Sequence, residues 1–266
     1  MLTYKRPHGS LSEQKFIEDY LKPLGCRADR YGNMIKRVKG DYSTIFACHI
    51  DTVHRNAGYQ RVFQNNNILS TDGNTVLGGD DTAGVWLCAN LLSDGVPGLY
   101  IFHRAEEIGG IGSSDVVSRK NLSSVKRVIS LDRKGMTDLI THQFGQRTCS
   151  DEFADELIRQ LRLSFRKTSG TFTDSANYAE AVPECTNLSV GYEGAHTTRE
   201  TLNARFLETM YHRLKAVNWR KLPVVRDPHE VKRKSFEWQE WPKSTTRKNT
   251  DYYYDPFGGS KSNWKW

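Results

Sequence analysis

The sequence predicts an α/β fold, a three-layer sandwich in which helices flank a central mixed, mostly parallel sheet. A compact apolar run over 44–48 is typical of a buried strand, further strands are predicted over 99–103, 125–131 and 185–190, and helical patterns separate them along the chain. Polar clusters repeatedly follow these runs. In open α/β sheets such clusters gather at the carboxyl ends of the strands, where ligands bind.

The remaining elements are predicted from caps, turns and periodicity. A first helix runs from Ser10 to Leu24, and Ser10 with Glu13 three residues later forms a capping box. Other predicted elements, in chain order, are a hairpin around 31–33, a polar strand pair over 59–72, helices over 82–92, 113–120 and 151–163, and a long final helix over 199–221.

Two regions differ in composition. Residues 1–222 carry all the predicted strands and helices and are predicted to form one domain of ordinary α/β character. Residues 223–266 hold nine Lys/Arg against six Asp/Glu, and nine aromatic residues but only three aliphatic ones. This pattern predicts a basic, aromatic-rich tail that is extended or partly disordered, or that is wrapped on the domain by its aromatic side chains.

Composition excludes several classes of protein. The chain of 266 residues has 37% hydrophobic residues, too many for a wholly disordered protein. It has no apolar run of membrane-span length and no signal-peptide core, so no membrane partner is expected. Five scattered cysteines without a CxxC pair indicate a reducing compartment, and the cytoplasm is the expected location. The net charge of +7 only hints at nucleic acid, and the tail holds +3 of it.

Five separated clusters share residue types that bind zinc through nitrogen and carboxylate oxygen. They are His49-Ile50-Asp51, Gly79-Asp80-Asp81, Glu106-Glu107, Asp132 and His196. Two histidines and three carboxylates suit two metal ions that share one bridging carboxylate, as in two-metal hydrolases. Taken singly, each cluster is more often an ordinary ion pair, turn or solvated face. Together, in this order and at strand ends, they favour a metal centre.

Short-range spacing suggests further roles within these clusters. Asp51 lies two residues after His49, so a turn could let its carboxylate orient the imidazole. Glu106 and Glu107 are adjacent and point different ways in a turning segment. One of them can therefore bind a metal ion while the other reaches a water molecule as general base.

The ordered set resembles the co-catalytic zinc exopeptidases, which include bacterial leucyl aminopeptidases, peptidase T-like tripeptidases and glutamate carboxypeptidase-like enzymes. The resemblance covers about residues 10–221. Residues 46–52 resemble the first metal segment of this superfamily, and residues 77–84 resemble the bridging segment. The resemblance implies two divalent metal ions, with zinc expected first and cobalt or manganese as alternatives.

The resemblance also implies individual roles. The implied metal ligands are His49, Asp80, Glu107, Asp132 and His196. Asp80 would bridge the ions before a cis peptide to Asp81, and His49 and Glu107 or Asp132 would serve the two ions from opposite sides. Asp132 would be the ligand of the second ion, and Glu106 would be the general base.

The interval between the last two ligands argues against a lid. Asp132 and His196 are 64 residues apart, too few for the lid or dimerisation domain that many tripeptidase-like and carboxypeptidase-like relatives insert there. A lidless form lacks a lid-borne histidine, so Tyr192 or another group of the core is expected to stabilise the oxyanion. Arg133 and residues 170–177 are candidates for lining the substrate cleft, and a salt bridge to a neighbouring carboxylate is an equal alternative for Arg133.

Two further positions have structural interpretations. Cys48, beside the first metal ligand, is expected to be a small buried residue at a strand end. Thr173-Asp174-Ser175 is expected to cap the helix that follows.

The predicted function is metal-dependent hydrolysis of peptide or amide bonds by water that two zinc ions activate, most simply as an aminopeptidase acting on a peptide or an aminoacyl amide. An amidohydrolase or carboxypeptidase of the same superfamily remains open. A second alternative is a non-enzymatic binding protein whose basic aromatic tail contacts protein or nucleic acid.

Overall fold

The computed structural model describes residues 1–230. Residues 231–266 lie outside the described residues. The predicted tail falls mostly there, as does its predicted contact with protein or nucleic acid.

The described part of the chain alternates strands and helices. The strands are β1 Tyr4–Lys5, β2 Arg27–Ala28, β3 Met34–Val38, β4 Thr44–His49, β5 Gly58–Tyr59, β6 Phe63–Asn65, β7 Ile68–Ser70, β8 Gly98–His103, β9 Arg127–Arg133, β10 Asp138–Gln143, β11 Gln146–Arg147, β12 Arg166–Gly170, β13 Glu184–Ser189, β14 Tyr192–Glu193 and β15 Thr201–Asn203. The helices are α1 Leu11–Phe16, α2 Gly79–Ser93, α3 Ile111–Arg119, α4 Asp151–Leu161, α5 Asp174–Tyr178 and α6 Ala204–Ala216.

A nine-stranded mixed sheet organises the domain. Its order is β11-β10-β13-β9-β4-β8-β3-β2, and β12 pairs with β10. The central strands β13, β9, β4 and β8 run parallel to one another, whereas β10 pairs antiparallel with β13 on one side and β3 and β2 continue the sheet antiparallel on the other. The predicted mixed sheet is confirmed, with its parallel part at the centre.

Alternate residues of β4 face two different helical layers. Phe46 and Cys48 pack into the core that includes α1, α2, α4 and α6. Ile45 and Ala47 pack on the opposite face, with side chains of α3 and of the segment that follows α5. Burial on both faces explains why residues 45–48 of β4 are apolar without alternation. The three layers of the predicted sandwich are therefore present, and Cys48 is a buried free thiol as expected.

The first helix begins with the predicted cap but is not α-helical over its whole length. The Glu13 N–H donates to Ser10 Oγ over 3.1 Å, so the cap forms. The Glu13 carboxylate accepts a hydrogen bond from the Gly9 N–H rather than from the N–H of the cap residue. It also accepts a hydrogen bond from Arg104 Nε over 3.0 Å. The helix continues as a π-helical segment over Ile17–Leu21.

The long final helix predicted over 199–221 is wrong at both ends. Residues 201–203 form β15, because their backbone pairs with β7 and β14 in a second, four-stranded sheet. Helix α6 begins only after Asn203, whose side chain accepts from the Phe206 N–H. It ends at Ala216, and Trp219–Lys221 form a separate 3₁₀ turn. The predicted polar strand pair is confirmed as β6 and β7.

Residues just beyond the predicted domain boundary contact the domain. Fully buried Glu184 accepts hydrogen bonds from the backbone N–H groups of Val225 and Arg226, and from the N–H and hydroxyl of Ser150. The Arg226 guanidinium donates to backbone carbonyls of the segment over 179–183. The segment through residue 226 therefore packs against α4 and β13.

Buried His54 makes the stability of the domain depend on pH. Its ring nitrogens contact Thr52 Oγ1, Gln60 Oε1 and the Val76 carbonyl, and burial lowers its pKa from 6.5 to about 4. Protons therefore bind the unfolded chain preferentially between these values. The stabilisation is complete above pH 6.5 and is lost as the pH falls toward 4.

We expect His54→Gln to remove this dependence. Between pH 7 and pH 4 the free energy of unfolding of the unsubstituted protein should fall by about 3 kcal/mol more than that of the variant, at about 1.4 kcal/mol per pK unit. Urea unfolding at pH 7, 5.5 and 4 measures the difference. His212→Gln, at an exposed position of α6, is the control. Parallel pH profiles for the His54 variant and the unsubstituted protein would contradict this account.

Candidate metal centre

The predicted site residues meet at one edge of the central sheet. His49 ends β4, and Glu106 and Glu107 follow the end of the neighbouring strand β8. Asp132 lies near the end of β9, on the other side of β4. Because these strands are parallel, their carboxyl ends reach the same edge of the sheet. Helix α2 adds Asp80 from its first turn, and the loop between β14 and β15 adds His196.

Asp80 lies between the two histidines. Its Oδ1 is 3.1 Å from His49 Nε2, and its Oδ2 is 3.2 Å from His196 Nε2. Each oxygen of one carboxylate thus faces a different imidazole, the arrangement that a bridging ligand requires.

Each of the other carboxylates lies near one of the same two imidazoles. Glu107 Oε2 lies 3.1 Å from His196 Nε2. Asp132 Oδ1 lies 3.6 Å from His49 Nε2, and Glu106 Oε2 lies 3.9 Å from it. All five residues expected as metal ligands, and the expected general base, therefore belong to one cluster.

The turn into α2 presents Asp80 to the cluster. The Asp80–Asp81 peptide is cis, as the resemblance implies, and Gly78 before it has a left-handed φ of 71°. The Asp81 carboxylate accepts from the backbone N–H groups of His49 and Gly84. A Cβ on Gly84 would lie 2.1 Å from the Leu131 carbonyl oxygen, which explains the glycine at this crossing of α2 and β9.

Asp51 supports the site differently from the expectation. His49 Nδ1 lies 3.0 Å from the Asp51 backbone carbonyl, whereas the nearest oxygen of the Asp51 carboxylate is 3.8 Å away. The carboxylate instead accepts from the N–H groups of Glu106 and Glu107, at 3.2 and 3.1 Å. Asp51 therefore contacts both the imidazole of His49 and the turn that carries the two glutamates.

Polar side chains surround Asp132. Thr173 Oγ1 donates to Asp132 Oδ2 over 2.7 Å, and the Tyr192 hydroxyl donates to Oδ1 over 3.1 Å. Asn187 pairs with both the N–H and the carbonyl of Asp132. Thr173 occupies the expected N-cap position of α5, but its hydroxyl makes no capping bond there. Sequence reasoning missed Thr173 and Asn187 as supports of Asp132, because no spacing motif links them to it.

The predicted substrate-binding residues line an adjoining cleft of about 380 Å³. Tyr192 is 3% exposed, and Arg133 forms a salt bridge to Asp138 at 3.1 Å while still bordering the cleft. Gly170, Thr171 and Phe172 form part of the opposite wall, within the segment predicted to line it. A larger cavity of about 950 Å³ has a mainly basic rim and contains none of the clustered residues.

The cluster has strongly perturbed protonation. Hydrogen bonds to Asp80 and Glu107 raise the pKa of His196 to about 10. Burial opposes ionisation of Asp80, but hydrogen bonds to both imidazoles outweigh it and lower the pKa. Burial raises the pKa of Glu106 to about 9, and burial and neighbouring carboxylates raise that of Asp132 to about 6. Cations in the cluster would favour the ionised carboxylates.

The donor set fits divalent metal ions. Glu107 Oε1 is buried without a hydrogen-bond partner, although its other oxygen contacts His196. Candidate ligand atoms of His49, Asp80 and Glu107 lie within 4.8 Å of one another, and so do those of His49, Asp81 and Asp132. We assign the shared ligand to Asp80 rather than to Asp81, because the Asp80 oxygens face the two imidazoles whereas the Asp81 oxygens accept backbone N–H groups. Imidazole nitrogen and carboxylate oxygen are the donors that zinc binds in catalytic sites.

Comparison with known proteins identifies the fold. No protein-family model matches the sequence, and no curated protein matches it. The structure is similar to that of the aminopeptidase PepT from Bacillus cereus, with a TM-score of 0.66 at 14% identity over 80% of this chain and 93% of that one.

Two further solved structures are similar. The TET1 peptidase of Pyrococcus horikoshii gives a TM-score of 0.63 at 13% identity, over 79% of this chain and 94% of that one. BSAP, a zinc aminopeptidase from Bacillus subtilis, gives 0.50 at 18% identity, over 74% of this chain and 52% of that one. The chain therefore has the fold of these peptidases, as the resemblance in its sequence implied. Within residues 1–230, no helix has the length and apolarity to cross a bilayer.

Proposed function

We propose that this chain is a metal-dependent aminopeptidase that uses two divalent ions, zinc first among them, to hydrolyse peptide or aminoacyl-amide bonds. The observation that carries the proposal is the division of the Asp80 carboxylate, one oxygen facing His49 and the other facing His196. Similarity of fold to structures described as aminopeptidases supports it.

Two ligand sets follow from the distances. His49, Asp132 and Oδ1 of Asp80 would hold one ion, and His196, Glu107 and Oδ2 of Asp80 would hold the other. The bound ions supply Lewis acidity at the scissile carbonyl and at the attacking water.

Glu106 is the proposed general base. Its Oε2 faces the cluster 3.9 Å from His49 Nε2, and its backbone N–H is held by the Asp51 carboxylate. The Glu106 carboxylate accepts the proton of the attacking water and gives it to the leaving amine, which completes the proton balance of hydrolysis. Asp51 therefore acts in this proposal as a positioning residue for both His49 and Glu106.

Substrate contacts are proposed on the cleft wall. Tyr192 borders the cleft beside Asp132, and its hydroxyl, which donates to Asp132 Oδ1, would have to turn to the substrate to stabilise a developing oxyanion. Arg133 borders the same cleft with its guanidinium fixed by Asp138. We prefer an aminopeptidase to a carboxypeptidase or amidohydrolase because the fold is similar to that of structures described as aminopeptidases.

The proposed location is the cytoplasm. All five cysteines are buried free thiols, which is typical of proteins from reducing compartments.

Metal analysis combined with a substrate panel tests the function. Protein depleted by chelator and reloaded with Zn²⁺, Co²⁺ or Mn²⁺ is assayed on amino-acid amides, short peptides and N-acyl amino acids. We expect two ions per chain and chelator-sensitive release of the N-terminal residue. Activity confined to N-acyl substrates would reject the aminopeptidase in favour of the amidohydrolase or carboxypeptidase alternative. Absence of metal binding would reject the whole proposal.

A further inference from the structure

Glu200 lies in a buried position that links two separate parts of the candidate metal centre. It follows His196 by four residues, at the end of the same loop, and is 1% exposed. Its Oε2 accepts the Gly78 N–H over 2.8 Å, and its Oε1 accepts the Asp80 N–H over 2.9 Å. One carboxylate therefore joins the loop of His196 to the turn that carries Asp80, 120 residues earlier in the chain.

The turn formed by residues 78–80 packs closely against the Glu200 carboxylate. A Cβ on Gly79 would lie 3.1 Å from Glu200 Oε1 and 3.1 Å from Tyr192 Cβ, so the backbone approaches both side chains closely. The Gly78 N–H is buried, and the Asp80 N–H is partly buried. Hydrogen bonds from N–H groups to a carboxylate are charge-assisted and stronger than neutral ones. Glu200 thereby fixes the backbone on both sides of Gly79 and with it the direction of the Asp80 side chain.

The loop side of this link is also defined. The Glu200 N–H donates to the Thr197 carbonyl, and Thr197 Oγ1 donates to the Gly194 carbonyl. Residues 194–200 therefore form consecutive hydrogen-bonded turns. His196 projects from these turns with a positive φ of 64° and is half exposed. Within the loop, Glu200 is the buried residue that connects these turns to the start of α2.

We propose that Glu200 is a positioning residue that makes the ion site of His196, Glu107 and Asp80 dependent on the start of α2. This inference rests on the proposed function, because it concerns the affinity of one of the two ion sites proposed above. Glu200 does not contact the ions or the substrate in this scheme. It holds Asp80 and His196 at the separation that a shared ion requires. The site of His49 and Asp132 depends on it less, because β4 and β9 fix those two ligands.

Glu200→Gln tests the proposal with minimal change of shape. A glutamine oxygen can accept one of the two N–H groups, whereas its NH₂ group faces the other N–H donor to donor. We expect one of two Zn²⁺ binding steps in calorimetry to weaken by about 10–100-fold, the usual effect of losing a hydrogen-bonded support of a metal ligand. The other binding step should change less than twofold. Glu208→Gln, at an exposed position of α6, is the matched control.

The outcomes separate this inference from the proposed function. If the unsubstituted protein does not bind two ions, the proposed function fails. If it binds two and Glu200→Gln binds both with unchanged affinity, only the Glu200 inference is overturned. Equal weakening of both steps would also overturn it, because that result indicates general loss of structure. If the variant does not fold by circular dichroism, Glu200→Asp, which keeps both acceptor oxygens on a shorter side chain, is measured by the same criteria.

Discussion

Replacement of Glu106 by glutamine is expected to reduce kcat by on the order of 10³-fold, within the range attributed to a general base. Glutamine keeps the shape of the side chain but cannot accept a proton from water. The backbone N–H of residue 106 would still be held by the Asp51 carboxylate, so the turn should persist.

Metal content and turnover must be measured together for this variant. We expect two ions per chain, KM within a few-fold of the original value, and loss confined to kcat. Glu152→Gln on the exposed side of α4 is the matched control. Full turnover in the Glu106 variant would reject the assignment of the base. Loss of metal together with activity would instead make Glu106 a ligand.

Replacement of Asp80 by asparagine is expected to have the second large effect. The variant loses the negative charge and one carboxylate oxygen between His49 and His196, so both proposed ion sites lose a ligand or its charge. We expect fewer than two ions per chain at metal concentrations that saturate the unsubstituted protein. Activity should fall to the level of the chelated enzyme.

The measurement for Asp80→Asn is ion stoichiometry after dialysis, with Asp155→Asn on α4 as the control at an exposed aspartate. The asparagine variant should retain its circular dichroism spectrum, because the Asp80 N–H still donates to Glu200. Retention of two ions with unchanged affinities would show that Asp80 does not bridge, and the two-site scheme would fail with it.

The first central strand was predictable because β4 carries apolar residues on both faces. Residues 45–48 have no polar side chain to suggest another environment, and they form most of β4. The candidate ligands were predictable for a related reason, since parallel strands place their ends at one edge. Residue types and their positions at strand ends therefore predict that these side chains form one cluster.

Other features depend on contacts that a linear sequence does not encode. The sequence of residues 201–203 does not differ in polarity from that of the following helix. Their backbone nevertheless pairs with β7, so they form a strand. Thr173 and Glu200 are ordinary loop residues by type, and only the folded chain brings them to Asp132 and Asp80. The Asp51 carboxylate reaches the Glu106 turn because β4 and β8 are paired parallel neighbours, which spacing alone does not reveal.

Glu184 also bears on where the domain can be cut. Its carboxylate accepts the N–H groups of Val225 and Arg226 as well as two groups from Ser150. A protein shortened at residue 222 would leave Glu184 Oε1 without two of its three donors, whereas one ending at residue 230 would keep them all. The folded domain therefore extends beyond residue 222, where the composition changes, and it includes residues 223–226.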